Sequence, residues 1–284
     1  MKLTNIKKVG LILRPSTPEL RAVFHDIKAM FEKYEIEVFI DIASARMINI
    51  YGQKFEILCE NVDLLLTIGG DGTLISAVRR AYSYNLPILG VHAGKLGFLA
   101  DLNLSELEGF IEKMLQGECR IDERVMLEAV ITTGAGVTKI IAFNDIVLTR
   151  PSISKMIHLE MRVDGRAFNT YYGDGVIIST PTGSTAYSLS AGGPVLFPLT
   201  RVFVLTPISP HSLTQRPVVL PAHFEIEVHT PEQSALAIID GQDIYEFGSE
   251  DSIVIRLADE SAHLVHREEF NYFEVLKEKL GWGA

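Results

Sequence analysis

VDLLLTIGGDGTLISAV, residues 62–78, is the stretch on which the fold turns. Residues 64–68 are an almost wholly apolar run, and a glycine turn follows them into the first turns of a helix. Uniformly apolar strands are buried on both faces and belong to parallel sheets covered by helices. A glycine bend opening a helix is also a usual phosphate-binding layout, because helix N-terminal N–H groups favour anions. Yet Asp71 stands at the centre of the bend, where it repels phosphate. Two readings are open. Either Asp71 caps a helix expected from Thr73 to about Tyr84, or Gly69, Gly70 and Gly72 keep the backbone around it clear for a ligand. There is no GxxxxGK[ST], since Gly94-Lys95 is followed by Leu96, and no GxGxxG follows the first strand, so neither a Walker nor a Rossmann loop is supported.

Outward from this turn, the first hundred residues keep a βα rhythm: KKVGLIL, a helical pattern with Leu20, Phe24, Ile27, Phe31 and Tyr34 on one stripe, EVFID, the glycine turn with its helix, and PILGV. SELEGFIEKMLQG reads as a further helix with Ser105 as its cap. From about residue 119 the period changes to two. HLEMRV before the hairpin signal Asp164-Gly165, then FEIEVHT, ALAIID, SIVIRLA and AHLVH, predict a mostly antiparallel β region. NYFEVLKEKLGWG returns to helical spacing, with Phe273, Leu276 and Leu280 as the stripe to be buried. The expected organisation is therefore an α/β domain with a mostly parallel sheet over residues 1–118, an all-β domain over 119–266, and a C-terminal helix, 267–284, packing back on the first domain. The junction of the two domains is the expected site.

The 284 residues are 47% hydrophobic and carry a formal charge of −10, which argues against nucleic-acid partners and acidic membrane surfaces. Small anions held by local N–H groups, a few cations and a divalent metal remain compatible. Cys59 and Cys119 form no metal or disulfide pattern, the eight histidines show no HExxH spacing, and no apolar run approaches a bilayer span, all of which fits a soluble cytoplasmic protein.

Two further stretches carry chemistry. In Phe143-Asn144-Asp145-Ile146-Val147 an amide and an acid stand together at the edge of an apolar strand; this is either an Asx turn or a pair suited to a ribose diol. YYGDGVIISTPTGSTAYSLSAGGPVLFP, residues 171–198, crowds hydroxyls from Thr180 to Ser190 and glycines into one long loop of a kind ordinary connections rarely show. Gly-Ser-Thr-Ala is not a GxSxG elbow and has no histidine nearby, which sets a serine hydrolase aside. Asp240-Gly241-Gln242-Asp243 reads locally as a hairpin turn.

Taken together, GGDGT, the Asn-acid pair, GDGVIISTPTGSTAYSLSAGGP, TPISPHSLTQRPVVLP and DGQ, in this order and spacing, resemble the NAD kinase family over nearly the whole chain. The resemblance implies phosphorylation of the 2′-hydroxyl of the adenosine ribose of NAD, by ATP or polyphosphate with Mg²⁺ or Mn²⁺, in a homodimer or homotetramer. It implies Asp71 as general base with Gly72 close to substrate, and Asn144 and Asp145 on the diphosphate and ribose. Tyr172 and Asp174 would lie near the nicotinamide half. Thr185, Ala186, Tyr187, Ser188, Leu189 and Ser190 would line the adenosine pocket, with Gln242 closing it. The sequence departs from the family at two positions: the pair is Asn-Asp where many members have Asn-Glu, and Lys155 stands where others often carry arginine. GGDGT alone is shared with diacylglycerol and sphingosine kinases, whose membrane substrate calls for a basic amphipathic segment that is missing here. A non-catalytic dinucleotide sensor would not need Asp71.

Overall fold

A computed structural model describes residues 3–94, 97–152, 155–231 and 234–283; Lys95 and Leu96 of the Walker comparison fall outside them. The chain divides into two units, Met1–Glu123 with Ala262–Ala284, and Arg124–Ser261.

In the first unit the strands are β1 (Lys8–Leu13), β2 (Glu37–Ile40), β3 (Leu64–Gly69), β4 (Pro87–His92), β5 (Leu102–Asn103) and β6 (Cys119–Arg124). They alternate with helices α1 (Leu20–Glu32), α2 (Ile42–Met47), α3 (Phe55–Asn61), α4 (Asp71–Arg80) and α5 (Leu107–Gln116). The sheet runs β2-β1-β3-β4, then strand Ala262–Arg267, then β6, with β5 beside β4. The pairs β1–β2, β1–β3, β3–β4 and β4–β5 are parallel. Every residue of β3 is buried, as its unbroken apolar run requires. α1 buries Leu20, Phe24, Ile27 and Phe31, four of the five residues of the stripe its spacing predicts, while Tyr34 falls past its end and is half-buried. Because β1 leads outward to β2 and the chain returns to β3 on the other side, the strand order reverses between β1 and β3. In open α/β sheets ligands bind at the carboxyl ends of such strands, and β3 ends there in Gly69.

Three details differ from the sequence reading. AHLVH alternates like an antiparallel strand, yet Ala262–Arg267 pairs in parallel with β4 and belongs to the first unit, as β6 does. Alternation reports which faces are buried and cannot name a partner far away in sequence. Ser105 does not cap α5: Asn103 Oδ1 accepts the N–H groups of Ser105 and Glu106 at 3.0 and 3.1 Å, and the Ser105 hydroxyl points to the same oxygen. Finally, helix Tyr272–Leu280 buries Tyr272, Val275 and Leu276, while Phe273 is 61% exposed. The buried face keeps Leu276 of the expected stripe and takes Tyr272 and Val275, at i and i+3, in place of Phe273 and Leu280, while Asn271 caps the helix by accepting the Phe273 N–H. Removing residues 271–284 is expected to destabilise the first unit, at roughly 1.5–3 kcal/mol for each fully buried side chain lost; thermal unfolding of the truncated protein checks this.

The second unit is built from two six-stranded sheets. One runs Arg166–Gly173, Ile157–Val163, Ile226–His229, Ser252–Leu257, Leu127–Thr133, Gly136–Ala142. The other runs Val218–Pro221, Val202–Ile208, Gly175–Ser179, Asp145–Thr149, Ala235–Ile239, Asp243–Phe247. Each neighbouring pair is antiparallel. Alternate residues of both sheets, Leu127, Ala129 and Ile131 among them in one and Ile146, Leu148, Val176 and Ile178 in the other, share one core. Asp164 and Gly165 turn the Ile157–Val163/Arg166–Gly173 hairpin at positive φ, as their sequence signal predicts. Among the described residues no helix is long and apolar enough to cross a membrane.

Candidate active site

In the first unit, α4 starts at Asp71, two residues earlier than expected, and Gly70 is its N-cap residue. No side chain caps the helix. The Asp71 carboxylate turns instead to the 97–99 loop, where Oδ2 accepts the Phe98 N–H at 2.8 Å and Oδ1 the Leu99 N–H at 3.4 Å. Gly97 is a glycine because any side chain there would overlap that carboxylate. A Cβ at Gly69 would meet Thr73, whereas one at Gly70 or Gly72 would meet nothing within 4 Å. Neither of the latter two is demanded by packing, so both leave the backbone beside Asp71 open to an approaching group. Arg14, exposed just past β1, sits against Gly69, where a Cβ would come within 3.1 Å of it; its N–H bonds the Ile68 carbonyl at 2.8 Å and its Nε donates to Thr17 Oγ1 at 3.1 Å. Sequence reasoning missed Arg14, since only the β1–β3 pairing brings it to the glycine turn.

In the second unit, the Asn144-Asp145 pair sits on a carboxylate clamp. Asp240 accepts the backbone N–H groups of Phe143 through Oδ2 (2.8 Å) and of Asn144 and Asp145 through Oδ1 (2.7 and 2.9 Å). Asp240 and Gly241 turn the Ala235–Phe247 hairpin at φ +50° and +65°. The local hairpin signal was therefore correct and incomplete, because the turn also delivers its carboxylate to a distant strand. The hydroxyl-rich loop is fastened to the same strand end: Thr180 donates its N–H to Asn144 O and its hydroxyl to Phe143 O, and a side chain at Gly183 would overlap the Asn144 carbonyl. Several hydroxyls of that loop are spent internally. Ser184 bonds Pro181 O, Thr185 bonds Thr182 O, and Ser188, fully buried, shares a 2.8 Å hydrogen bond with Thr206.

What this builds is a cavity of about 380 Å³ lined by Asn144, Asp145, Val147, Ala186, Tyr187, Ile238, Asp240 and Gly241, within the size range of small-molecule sites. It thus unites four of the expected site residues: Asn144, Asp145, Ala186 and Tyr187. Asn144 Oδ1 is buried without a hydrogen-bond partner among the described residues, an acceptor that a ligand donor would satisfy. Leu189 is half-buried and Ser190 exposed on the short helix Tyr187–Ser190. Gln242 is exposed in the hairpin turn, and Lys155 is exposed. Tyr172 lies in an aromatic group, stacked on His158 at 4.2 Å with His211 tilted at 5.5 Å. Asp174 is ion-paired with Arg150 at 2.9 Å.

Asp145 is 4% exposed. Burial, and then the Asp240 charge, push its carboxyl up to about 7. Because the folded-state value lies above that of an unfolded aspartate, folding binds the proton more tightly, and stability declines as pH rises from about 4 to about 7. A tenfold change in proton affinity corresponds to about 1.4 kcal/mol, so the decline amounts to at most about 4 kcal/mol. Asp145→Asn is expected to remove that decline, making the variant relatively more stable at pH 8 than at pH 4; thermal unfolding across this range checks it.

The whole chain is similar in sequence and in fold to known proteins. Residues 31–119 match the ATP-NAD kinase N-terminal domain and residues 143–267 the ATP-NAD kinase C-terminal domain. The chain is 58% identical to an NAD kinase of Sulfurimonas denitrificans over 98% of both chains. Its fold is similar to that of the yeast NADH kinase crystallised with NADH, with a TM-score of 0.90 at 27% identity, covering 98% of this chain and 89% of that one. It is also similar to an NAD kinase from Archaeoglobus fulgidus crystallised with ATP, with a TM-score of 0.77 at 25% identity, covering 96% and 98%. Two family models that together span most of the chain, and a relative 58% identical over 98% of both chains, decide the matter: the chain belongs to the NAD kinase family, enzymes that phosphorylate NAD.

Proposed function

We propose that this enzyme transfers the terminal phosphoryl group of ATP to the 2′-hydroxyl of the adenosine ribose of NAD, with Asp71 as the general base. The observation that carries the reading is that Asp71, at the start of a helix, does not cap it; its carboxylate is fixed by two loop N–H groups beside glycines that packing does not require. A hydroxyl is a poor nucleophile, and a carboxylate that accepts its proton as phosphorus is attacked answers that need. The new bond joins the 2′-oxygen to the γ-phosphorus, the bond from that phosphorus to the β,γ-bridging oxygen breaks, ADP departs, and the proton passes to Asp71. Asn144 and Asp145 hold the ribose and diphosphate, and Ala186 and Tyr187 the adenosine. Gly72 lies close to the reacting hydroxyl, and Arg14 faces the donor phosphates. The assignments of Lys155, Tyr172, Asp174, Thr185, Ser188, Leu189, Ser190 and Gln242 to the NAD site rest on the resemblance.

Among the described residues no group of three His, Cys, Asp or Glu is placed to hold a metal. Mg²⁺ or Mn²⁺ would come with the donor phosphates, since Mg²⁺ ordinarily binds through substrate phosphates, waters and one or two carboxylates. When bound there, it neutralises charge on the transferred group. ATP as donor is supported by the ATP complex of the archaeal relative. A cytoplasmic location and a homodimeric or homotetrameric assembly complete the reading. Incubating the purified protein with NAD or NADH, with ATP or polyphosphate, and with Mg²⁺ or Mn²⁺ tests it. NADP formed from NAD and ATP is the expected result, and no NADP with any combination overturns it.

A further inference from the structure

His266, on strand Ala262–Arg267, is 1% exposed and lies between two buried carboxylates. Its Nδ1 is 3.2 Å from Asp101 Oδ1, and its Nε2 faces Asp122 Oδ2 at 3.7 Å. The ring is stacked on Phe270 at 4.3 Å and 6°. Asp101 is held further by the Arg267 N–H at 3.1 Å and, through its carbonyl, by Arg267 Nη2 at 2.6 Å, while Arg120 pairs with Asp122 at 2.9 Å and donates to Phe270 O at 3.2 Å. Burial acts to raise the Asp101 carboxyl, but the hydrogen bond and charge of His266, with the Arg267 N–H, hold it below the usual carboxylate range.

A buried ionic group is weak support for stability, because well-packed apolar side chains often serve as well. What such a group does supply is direction, and here the direction has a use. Asp101 ends the 97–101 segment, whose Phe98 and Leu99 N–H groups fix the Asp71 carboxylate. Leu99 and Ala100 between them are buried. We propose that His266 is a positioning residue: by gripping Asp101 it sets the 97–101 segment, and through the Phe98 and Leu99 amides it sets the carboxylate of Asp71. The inference rests on the reading of Asp71 as the base.

The test compares His266→Leu, which removes the ring nitrogens, with His266→Asn, whose Nδ2 takes the place of Nδ1 toward Asp101, in the full-length enzyme. Hydrogen exchange at the Phe98 and Leu99 amides reads the segment directly, and steady-state kinetics reads the base. In His266→Leu the two amides are expected to exchange ~10-fold faster or more. In the same variant kcat falls ~10–100-fold with KM for NAD nearly unchanged, since small misplacements of a reacting group cost rates of that order. His266→Asn is expected to restore most of both. Unchanged exchange at Phe98 in folded His266→Leu overturns the proposal whatever the kinetics. So does faster exchange with normal kcat, or a loss of kcat and KM together that tracks thermal stability and is not rescued by Asn. Asp71→Asn, measured alongside, separates the two ideas: normal turnover there refutes the base, whereas the exchange data judge the grip of His266 on the segment.

Discussion

Asp71→Asn is expected to lower kcat on the order of 10²–10⁴-fold, the usual contribution of a positioned base, with NAD still bound. Asparagine keeps the shape and one oxygen for the Phe98 N–H, and it caps helices about as well as aspartate. If the role of Asp71 were to cap α4, the variant would be nearly normal. The structure already removes the capping role, because the carboxylate accepts from Phe98 and Leu99 and not from its own helix. Thermal unfolding serves as the control for folding, and kcat in the folded variant is the deciding measurement. Near-normal kcat would leave Asp71 as a brace for the 97–99 loop.

Asp240→Ala is expected to have the second largest effect. Three backbone N–H groups, at Phe143, Asn144 and Asp145, lose one shared acceptor. Each buried donor left unsatisfied costs about 1–3 kcal/mol, with water able to recover part of it. The strand end that carries the amide-acid pair would move with them, so kcat/KM for NAD should fall on the order of 10²-fold, mostly through KM, because misplaced binding groups weaken ground state and transition state alike. Asp240→Asn should be milder, because its remaining oxygen can still serve Asn144 and Asp145. Equal losses in the two variants would mean that the charge of Asp240 matters and its clamp geometry does not. Thermal unfolding and NAD titration distinguish these outcomes.

The local elements were legible because their causes are local. The apolar run of β3, the stripe of α1 and the Asp164-Gly165 hairpin each depend on residues a few positions apart, and each formed as read save that Tyr34 lies past the end of α1. The ordered motifs were sufficient to place the chain in its family. Apart from the distant pairing of Ala262–Arg267, what was misread involved choices between near-equal local options. Ser105 and Asn103 both offer an oxygen before α5, and the geometry spent Asn103 on the turn leading into the helix, whose own start no side chain caps. Phe273 and Tyr272 are both apolar enough to face inward, and packing of the helix turned the Tyr272–Val275–Leu276 face in.

The sequence by itself determined the α/β first domain, the β second domain, the order of the motifs and the chemistry that each side chain can perform, because periodicity and residue type are properties of neighbouring residues. Only the tertiary structure decided that Ala262–Arg267 joins the parallel sheet, that Asp240 gathers three amides of a strand some 95 residues away, and that Asp71 is held by the 97–99 loop. It also decided which hydroxyls of the 180–190 loop are spent within the loop, as at Ser184 and Thr185, and which on the neighbouring strand, as Ser188 is on Thr206. The physical reason is the same in each case. A buried polar group must find a partner, and which of many chemically equivalent partners it finds depends on what the folded backbone brings within about 3 Å, a distance that sequence separation does not encode.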